Sequence, residues 1–132
     1  MGTYNIGSCG CCGSAPCDPV SFRFLSFVMD FTYEYDDPPW NTVWKTTCSL
    51  VSASVEITHS DGRTEIIDGV TGGIMYYMTE FYSNQRRFYS QGYMSMCGKT
   101  AQWRVEFPNQ GNVDSYTGSL EEATNVTYSE FR

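Results

Sequence analysis

The stretch that decides the fold is residues 20–35, VSFRFLSFVMDFTYEY, in a chain of 132 residues. Large apolar side chains alternate with other residues along it, which is the pattern of a β-strand with one buried face. The apolar set lies on even numbers up to Phe24 and on odd numbers from Phe27 onward. Because successive side chains point to opposite faces, this change of phase predicts a β-bulge or a break near Leu25-Ser26.

A second extended stretch, residues 40–59, shows the same kind of phase change. Its inward set occupies even positions up to Cys48 and odd positions from Val51. The switch near Ser49-Leu50 fits either two strands or one bent strand.

The strongest local signal is the turn at Asp61-Gly62, which lies between two alternating runs. Glycine adopts positive φ without a steric penalty, and Asp-Gly between such runs is typical of a β-hairpin. A two-residue turn places Ile57 opposite Ile66, whereas a type I turn with a glycine bulge places Val55 opposite Ile67. The sequence allows both registers.

The rest of the chain continues the strand pattern. Residues 103–107 alternate cleanly, and residues 126–131 are expected to form a closing edge strand. Residues 74–81 combine helical spacing with strand-forming residue types, and we favour a strand. Ser119 and Glu122 have the spacing of a capping box, which predicts one short helical turn. The expected fold class is all-β, an antiparallel β-sandwich or barrel of about seven or eight strands with an irregular, cysteine-rich N-terminal segment.

The length suits one domain. We divide the chain into a glycine- and cysteine-rich arm, residues 1–19, and a single β domain, residues 20–132, with a polar C-terminal segment from Pro108. Both ends are poor in apolar residues, so we expect them to add little to the core. Ordering them would then need contacts from neighbouring subunits, because fixing each residue costs about 1–2 kcal/mol of backbone entropy.

Composition narrows the function classes. The chain has three Leu and four Ala but nine Val and thirteen Thr, so strand formers replace helix formers. Its net charge of −7 argues against nucleic acid as a partner, because phosphate binding needs clustered Lys and Arg. The sequence has no apolar run near the roughly 20 residues that span a bilayer, so we expect no membrane partner.

The cysteines are the most unusual chemical feature. The four in the arm are Cys9, Cys11, Cys12 and Cys17. Four thiolates form a tetrahedral zinc set, so these residues are candidate metal ligands and zinc is the one cofactor that the sequence suggests. Disulfides are an equally good interpretation, in which Cys48 or Cys97 ties the arm to the sheet, and free thiols are the third.

Histidine and tryptophan give weaker signals. His59, the single histidine, lies beside the expected hairpin turn and is interpreted as a structural or surface residue. Trp44 and Trp103 lie in strand patterns and are expected in the core, whereas Trp40 is expected to be exposed. Exposed aromatics, among them some of the ten Tyr, would suit a carbohydrate-stacking surface or a protein interface.

No catalytic constellation is visible in the sequence, which has one His and neither a glycine-rich phosphate loop nor a nucleophile motif. We predict a non-enzymatic structural or assembly protein, such as a small subunit of a virion or phage particle, that acts through protein subunits of its own or another kind. The alternative is a secreted module that binds carbohydrate or protein through exposed aromatics. A virion or cytoplasmic location is favoured, because the N-terminus lacks the basic and apolar regions of a signal peptide.

The hairpin turn generates the first testable prediction. Gly62→Val places a β-branched side chain where positive φ is required, so we expect the free energy of unfolding to fall by about 1 kcal/mol or more. Chemical denaturation of the natural chain and the variant measures the difference. An unchanged free energy of unfolding would contradict the turn.

Overall fold

Strands dominate the computed structural model, which describes residues 16–35, 44–70, 73–82, 87–111 and 113–132. The strands in these residues are β1 (Pro19–Tyr35), β2 (Trp44–His59), β3 (Thr64–Asp68), β4 (Met75–Tyr77), β5 (Glu80–Tyr82), β6 (Tyr89–Met96), β7 (Lys99–Glu106), β8 (Ser115–Ser119) and β9 (Asn125–Tyr128). A 3₁₀ turn covers Leu120–Glu122, where one helical turn is predicted. Within the described ranges, no helix has the length and apolar character needed to cross a membrane.

The strands form two antiparallel sheets that pack against each other. The first sheet has the order β3-β2-β1-β8, and β5 pairs with a separate part of β2. The second sheet has the order β4-β6-β7-β9. This architecture confirms the predicted all-β sandwich. The described strands are nine, more than expected, because the ambiguous segment after Gly73 supplies one short strand to each sheet.

The central strand of the first sheet is β1, which pairs with β2 on one side and β8 on the other. Phe24 pairs with Val55 and Ser26 with Ser54, which leaves Leu25 as the extra residue of a bulge. The buried side chains among the described residues of β1 are Pro19, Phe22, Phe24, Phe27, Met29, Phe31 and Tyr33. The predicted phase change is therefore confirmed, and the bulge is what allows both halves of the strand to bury their apolar face.

The second predicted phase change belongs to one bent strand, β2. Val28 pairs with Ser52 and Met29 with Leu50, so Val51 is the extra residue. Val51 is 55% exposed, so its expected place in the inward set is wrong, and the set changes from even to odd numbers across it. That set is Thr46, Cys48, Ala53, Val55, Ile57 and His59.

The turn at Asp61-Gly62 joins β2 to β3, as predicted. Gly62 has a φ of +87°, and its N–H donates to the carbonyl of His59 at 2.9 Å. Val55 faces Ile67 across the pair, so the structure selects the register with the glycine bulge.

Aromatic rings from both sheets build the core. Phe24 and Phe27 of β1 contact Trp103 of β7, with ring centroids 5.2 and 5.6 Å apart. Further along β1, Phe31 lies 5.1 Å from Phe88, beside the start of β6. Full burial of such a ring contributes about 1.5–3 kcal/mol, so this contact surface is the main force that holds the two sheets together.

The C-terminal segment adds more to the structure than its composition predicts. It supplies β8 to the first sheet and β9, the predicted edge strand, to the second. Phe131 is 7% exposed, and its N–H donates to the carbonyl of Val20 at 2.8 Å. The expectation that this end adds little to the core is therefore wrong. The outward side chains of edge strands are polar, so the composition of such a segment is polar even when a few of its side chains point into the core.

One end of the sandwich is closed by a set of contacts that we call the N-terminal clamp, which comprises Cys17, Asp18, His59, Cys97 and Lys99. Cys17 forms a disulfide with Cys97, which lies in the β6–β7 turn with a φ of +52°. The Lys99 ammonium pairs with the Asp18 carboxylate and holds the pKa of that carboxyl below its usual value. The clamp thus joins the start of β1 in the first sheet to a hairpin of the second.

His59 lies inside the clamp and is 2% exposed, so of the two roles expected, structural or surface, the structure supports the structural one. Its Nδ1 accepts the backbone N–H of Asp18 at 3.1 Å, and its Nε2 lies 3.1 Å from Oε1 of Glu65. Because Nδ1 accepts, the ring proton is on Nε2 and is donated to Glu65. The pairing of β2 with β1 and β3 directs the His59 ring inward. The closeness of His59 to a turn in the sequence does not predict this direction.

The disulfide generates the second prediction. It joins residues separated by 80 positions, so the double variant Cys17→Ser/Cys97→Ser should lose about 2–4 kcal/mol of unfolding free energy. Chemical denaturation with and without reductant provides the measurement. The reductant should destabilise the natural chain and leave the double variant nearly unchanged. An equal effect on both proteins would contradict a stabilising role for this bond.

Candidate binding groove

The outer face of the second sheet, which points away from the core, carries a groove of about 820 Å³. Its lining comes from all the strands of this sheet and the residues that continue β4 and β9. Ligand sites in proteins typically measure about 300–1,000 Å³. The groove is therefore large enough for a small organic ligand or a short polymer segment.

Strand alternation decides which side chains reach the groove. In β7, Trp103 and Val105 are buried, and Gln102 and Arg104 point to the opposite face. Antiparallel pairing aligns them with outward residues of the neighbouring strands, so two rows of side chains cross the sheet. The first row is Tyr76, Tyr93, Gln102 and Ser129. The second row is Met78, Gln91, Arg104 and Thr127.

Tyr76 and Tyr93 form an aromatic pair at the β4 side of the groove. Their ring centroids lie 4.8 Å apart with an angle of 18° between the planes, so the rings are stacked. Each is about two-fifths exposed, at 41% and 42%. The stacking covers one face of each ring and leaves the other face and the ring edges for contact with a ligand.

The position of Tyr76 depends on a glycine in the neighbouring strand. A Cβ at Gly92 would overlap the carbonyl oxygen of Tyr76 and lie 2.7 Å from Cα of Tyr77. Only glycine lets the backbone of β4 approach β6 so closely, and this approach brings the two tyrosines into register.

Arg104 is held in place in the middle of the second row. Its Nε donates to Oε2 of Glu106 at 2.6 Å, and its Nη1 donates to Oε1 of Gln91 at 2.6 Å. Its Cζ also lies 3.9 Å from the centroid of the Tyr89 ring. The hydrogen bond from Arg104 goes to the oxygen of the Gln91 amide and orients that amide. The NH₂ group of the amide is a hydrogen-bond donor that this bond does not use.

The groove is close to neutral although the whole chain has a net charge of −7. Among the described residues that line it, Arg104 is the single charged one, and Glu106 balances its charge. The other polar groups are amides and hydroxyls. The groove is therefore suited to an uncharged ligand that both donates and accepts hydrogen bonds.

The zinc set predicted from the sequence is not assembled in the described residues. Cys17 is bonded to Cys97, so its thiolate is not available to a metal ion while the disulfide exists. Cys9, Cys11 and Cys12 lie outside the described residues, and their role stays a prediction. No three His, Cys, Asp or Glu side chains of the described chain converge on a position that could hold a metal ion.

The large exposed aromatics of the described residues are Tyr76, Tyr93 and Tyr128, which belong to the tyrosines considered in the sequence. Trp103 is 3% exposed, which confirms its expected place in the core. Trp40 and the side chain of Trp44 lie outside the described part of the chain. Neighbouring side chains of a strand point to opposite faces, so an inward Met94 indicates an outward Tyr93. The stacking partner Tyr76 was not identifiable, because its segment had no clear period.

Comparison of the chain with known protein-family models, curated proteins and solved structures found no match. Function is therefore inferred from the residues of the groove alone.

The buried thiol of Cys48 generates the third prediction. It donates to the carbonyl of Met78 at 2.9 Å, and burial raises its pKa to about 11. Thiolate is the reactive form, so iodoacetamide at pH 8 should label Cys48 slowly in the folded chain and rapidly in denaturant. Mass spectrometry of the Cys48 peptide measures the two rates.

The same shift sets the direction of a pH effect on stability. The folded pKa lies above the unfolded value of 9.0, so the contribution of the neutral thiol is fully present below pH 9 and is lost as the pH rises towards 11. Rapid labelling of the native chain at pH 8 would contradict the buried, neutral thiol.

Proposed function

We propose that this protein is a non-catalytic binding module and that the groove on its second sheet binds carbohydrate. The observation that carries the proposal is the exposed, stacked pair of Tyr76 and Tyr93 beside the ordered amide of Gln91 and guanidinium of Arg104. This is the binding module expected as the alternative from the sequence, with tyrosines as its exposed aromatics.

The chemistry of a sugar matches both parts of the groove. One face of a pyranose ring exposes C–H groups, which pack on an aromatic face and are removed from water there. Its hydroxyls donate and accept hydrogen bonds, as do the amides of Gln91 and Gln102. An amide that the bound ligand covers gives specificity, because a ligand without the matching hydroxyl would leave the amide buried and unpaired.

The residue types in the groove also favour binding over catalysis. The described lining offers phenol, amide and hydroxyl groups together with one ion-paired guanidinium. Of the side chains that commonly transfer protons, the described lining contains Tyr but no His, Asp, Glu, Lys or Cys. The groove is thus equipped to hold a polyhydroxylated molecule in place.

The assembly role remains the second candidate, and a separate surface supports it. Val51 and Ile66 are 55% and 61% exposed, and Ile66 lies on β3, an edge strand of the first sheet. An apolar edge of this kind is a site where another subunit adds a strand or covers the exposed side chains. The C-terminal segment no longer supports this candidate, because its own sheets hold it. Mass photometry separates the two, since assembly requires multimers and the binding module functions as a monomer.

The carbohydrate proposal is tested with groove variants. Affinity electrophoresis through gels that contain soluble neutral polysaccharides should retard the natural chain. Tyr93→Ala removes half of the stacked pair and should weaken binding about ten-fold, which corresponds to about 1.4 kcal/mol. Tyr93→Phe keeps the ring and should retain most of the affinity.

A matched control lies on the opposite sheet. Ile66→Thr removes a comparably exposed side chain outside the groove and should leave the retardation unchanged. Equal loss of binding in Tyr93→Ala and Ile66→Thr, or no retardation with any polysaccharide, would contradict the proposal.

A further inference from the structure

The dimensions of the groove floor define a direction for an elongated ligand. Four strands at a spacing of about 4.8 Å give a floor about 14 Å long across the strands. The two rows of side chains lie two residues apart along each strand, which makes the floor about 7 Å wide. A linear molecule therefore fits with its long axis perpendicular to the strands.

The character of the floor changes along this axis. At the β4 end, Tyr76 and Tyr93 present ring surface, and Met78 continues the apolar patch in the second row. At the β9 end, Gln102 and Thr127 present an amide and a hydroxyl, and both residues are exposed. One end of the groove is thus built to take a ring face and the other to take hydroxyl groups.

Charge selects among carbohydrates. The positive charge of Arg104 is paired with Glu106 at 2.6 Å and lies over the ring of Tyr89. An acidic sugar would have to compete with Glu106 for this cation and would approach a chain with a net charge of −7. A neutral sugar carries neither cost.

We propose that the groove binds a neutral, unbranched oligosaccharide of about three sugar units that lies across the strands. Its first ring packs against the exposed ring surface of the Tyr76–Tyr93 pair, its second lies over the amides of Gln91 and Gln102, and its third reaches the hydroxyl of Thr127. This inference rests on the proposed carbohydrate function and specifies the ligand class of that same site.

The test is a titration of the full chain with neutral gluco-, manno- and xylo-oligosaccharides of one to six units. For the series that binds, affinity should rise with each unit up to three and change little beyond. Isothermal titration calorimetry gives the affinities. Chemical-shift changes in the natural chain should involve Gln102 and Thr127 and spare Val51 and Ile66, so the test does not depend on variants alone.

Two variants separate the ends of the groove. Thr127→Val removes one hydroxyl and keeps the shape, so it should weaken the trisaccharide about five-fold and leave the disaccharide unchanged. Tyr93→Ala should weaken both about ten-fold. Ile66→Thr, outside the groove, should change neither, and thermal unfolding checks that each variant is folded.

The contrary outcomes distinguish the inference from the proposed function. Affinity that keeps rising to six units, equal binding of monosaccharide and trisaccharide, or tighter and salt-dependent binding of glucuronate oligomers would overturn the inference alone. Binding of a proline-rich peptide without binding of any saccharide would overturn both, as would no interaction with any saccharide.

Discussion

The burial of one face of β1 against the second sheet is the constraint on which the rest of this structure depends. The strand is seventeen residues long, and its inward rings lie against Trp103 and Phe88. Because the apolar residues of β1 change from even to odd numbers, a regular strand would expose one half of them to solvent. The bulge at Leu25 prevents this exposure, and the extra residue Val51 in β2 adjusts the partner strand in turn.

The groove follows from the same alternation in the second sheet. Each strand that directs a core residue such as Met94 or Trp103 inward must direct its neighbours outward. The outward residues on β4, β6, β7 and β9 meet in rows because antiparallel pairing aligns them. The core therefore determines where the groove lies, and the outward residue types determine its chemistry. Gly92 contributes in another way. Because it has no side chain, the backbone of β4 can approach β6 and bring Tyr76 beside Tyr93.

The N-terminal clamp shows how a small sandwich closes an end where strand pairing stops. The disulfide, the Asp18–Lys99 ion pair and the hydrogen bond to His59 all join the start of β1 to turns of both sheets. The C-terminal residues lie beside the clamp, with Phe131 bonded to Val20 and Arg132 paired to Thr100. Both described ends are held by contacts within the chain.

The sequence by itself determined the fold class, both phase changes, the hairpin at Gly62 and the core position of Trp103, because these depend on local periodicity and turn chemistry. Tertiary structure alone decided that His59 is buried, that Cys17 pairs with Cys97, and that Tyr76 stacks on Tyr93. Each of these contacts joins residues brought together by strand order and register, which a single strand's alternation does not encode. The groove belongs to this second group, since its lining comes from four strands that the sequence identifies one by one and only pairing assembles into a surface.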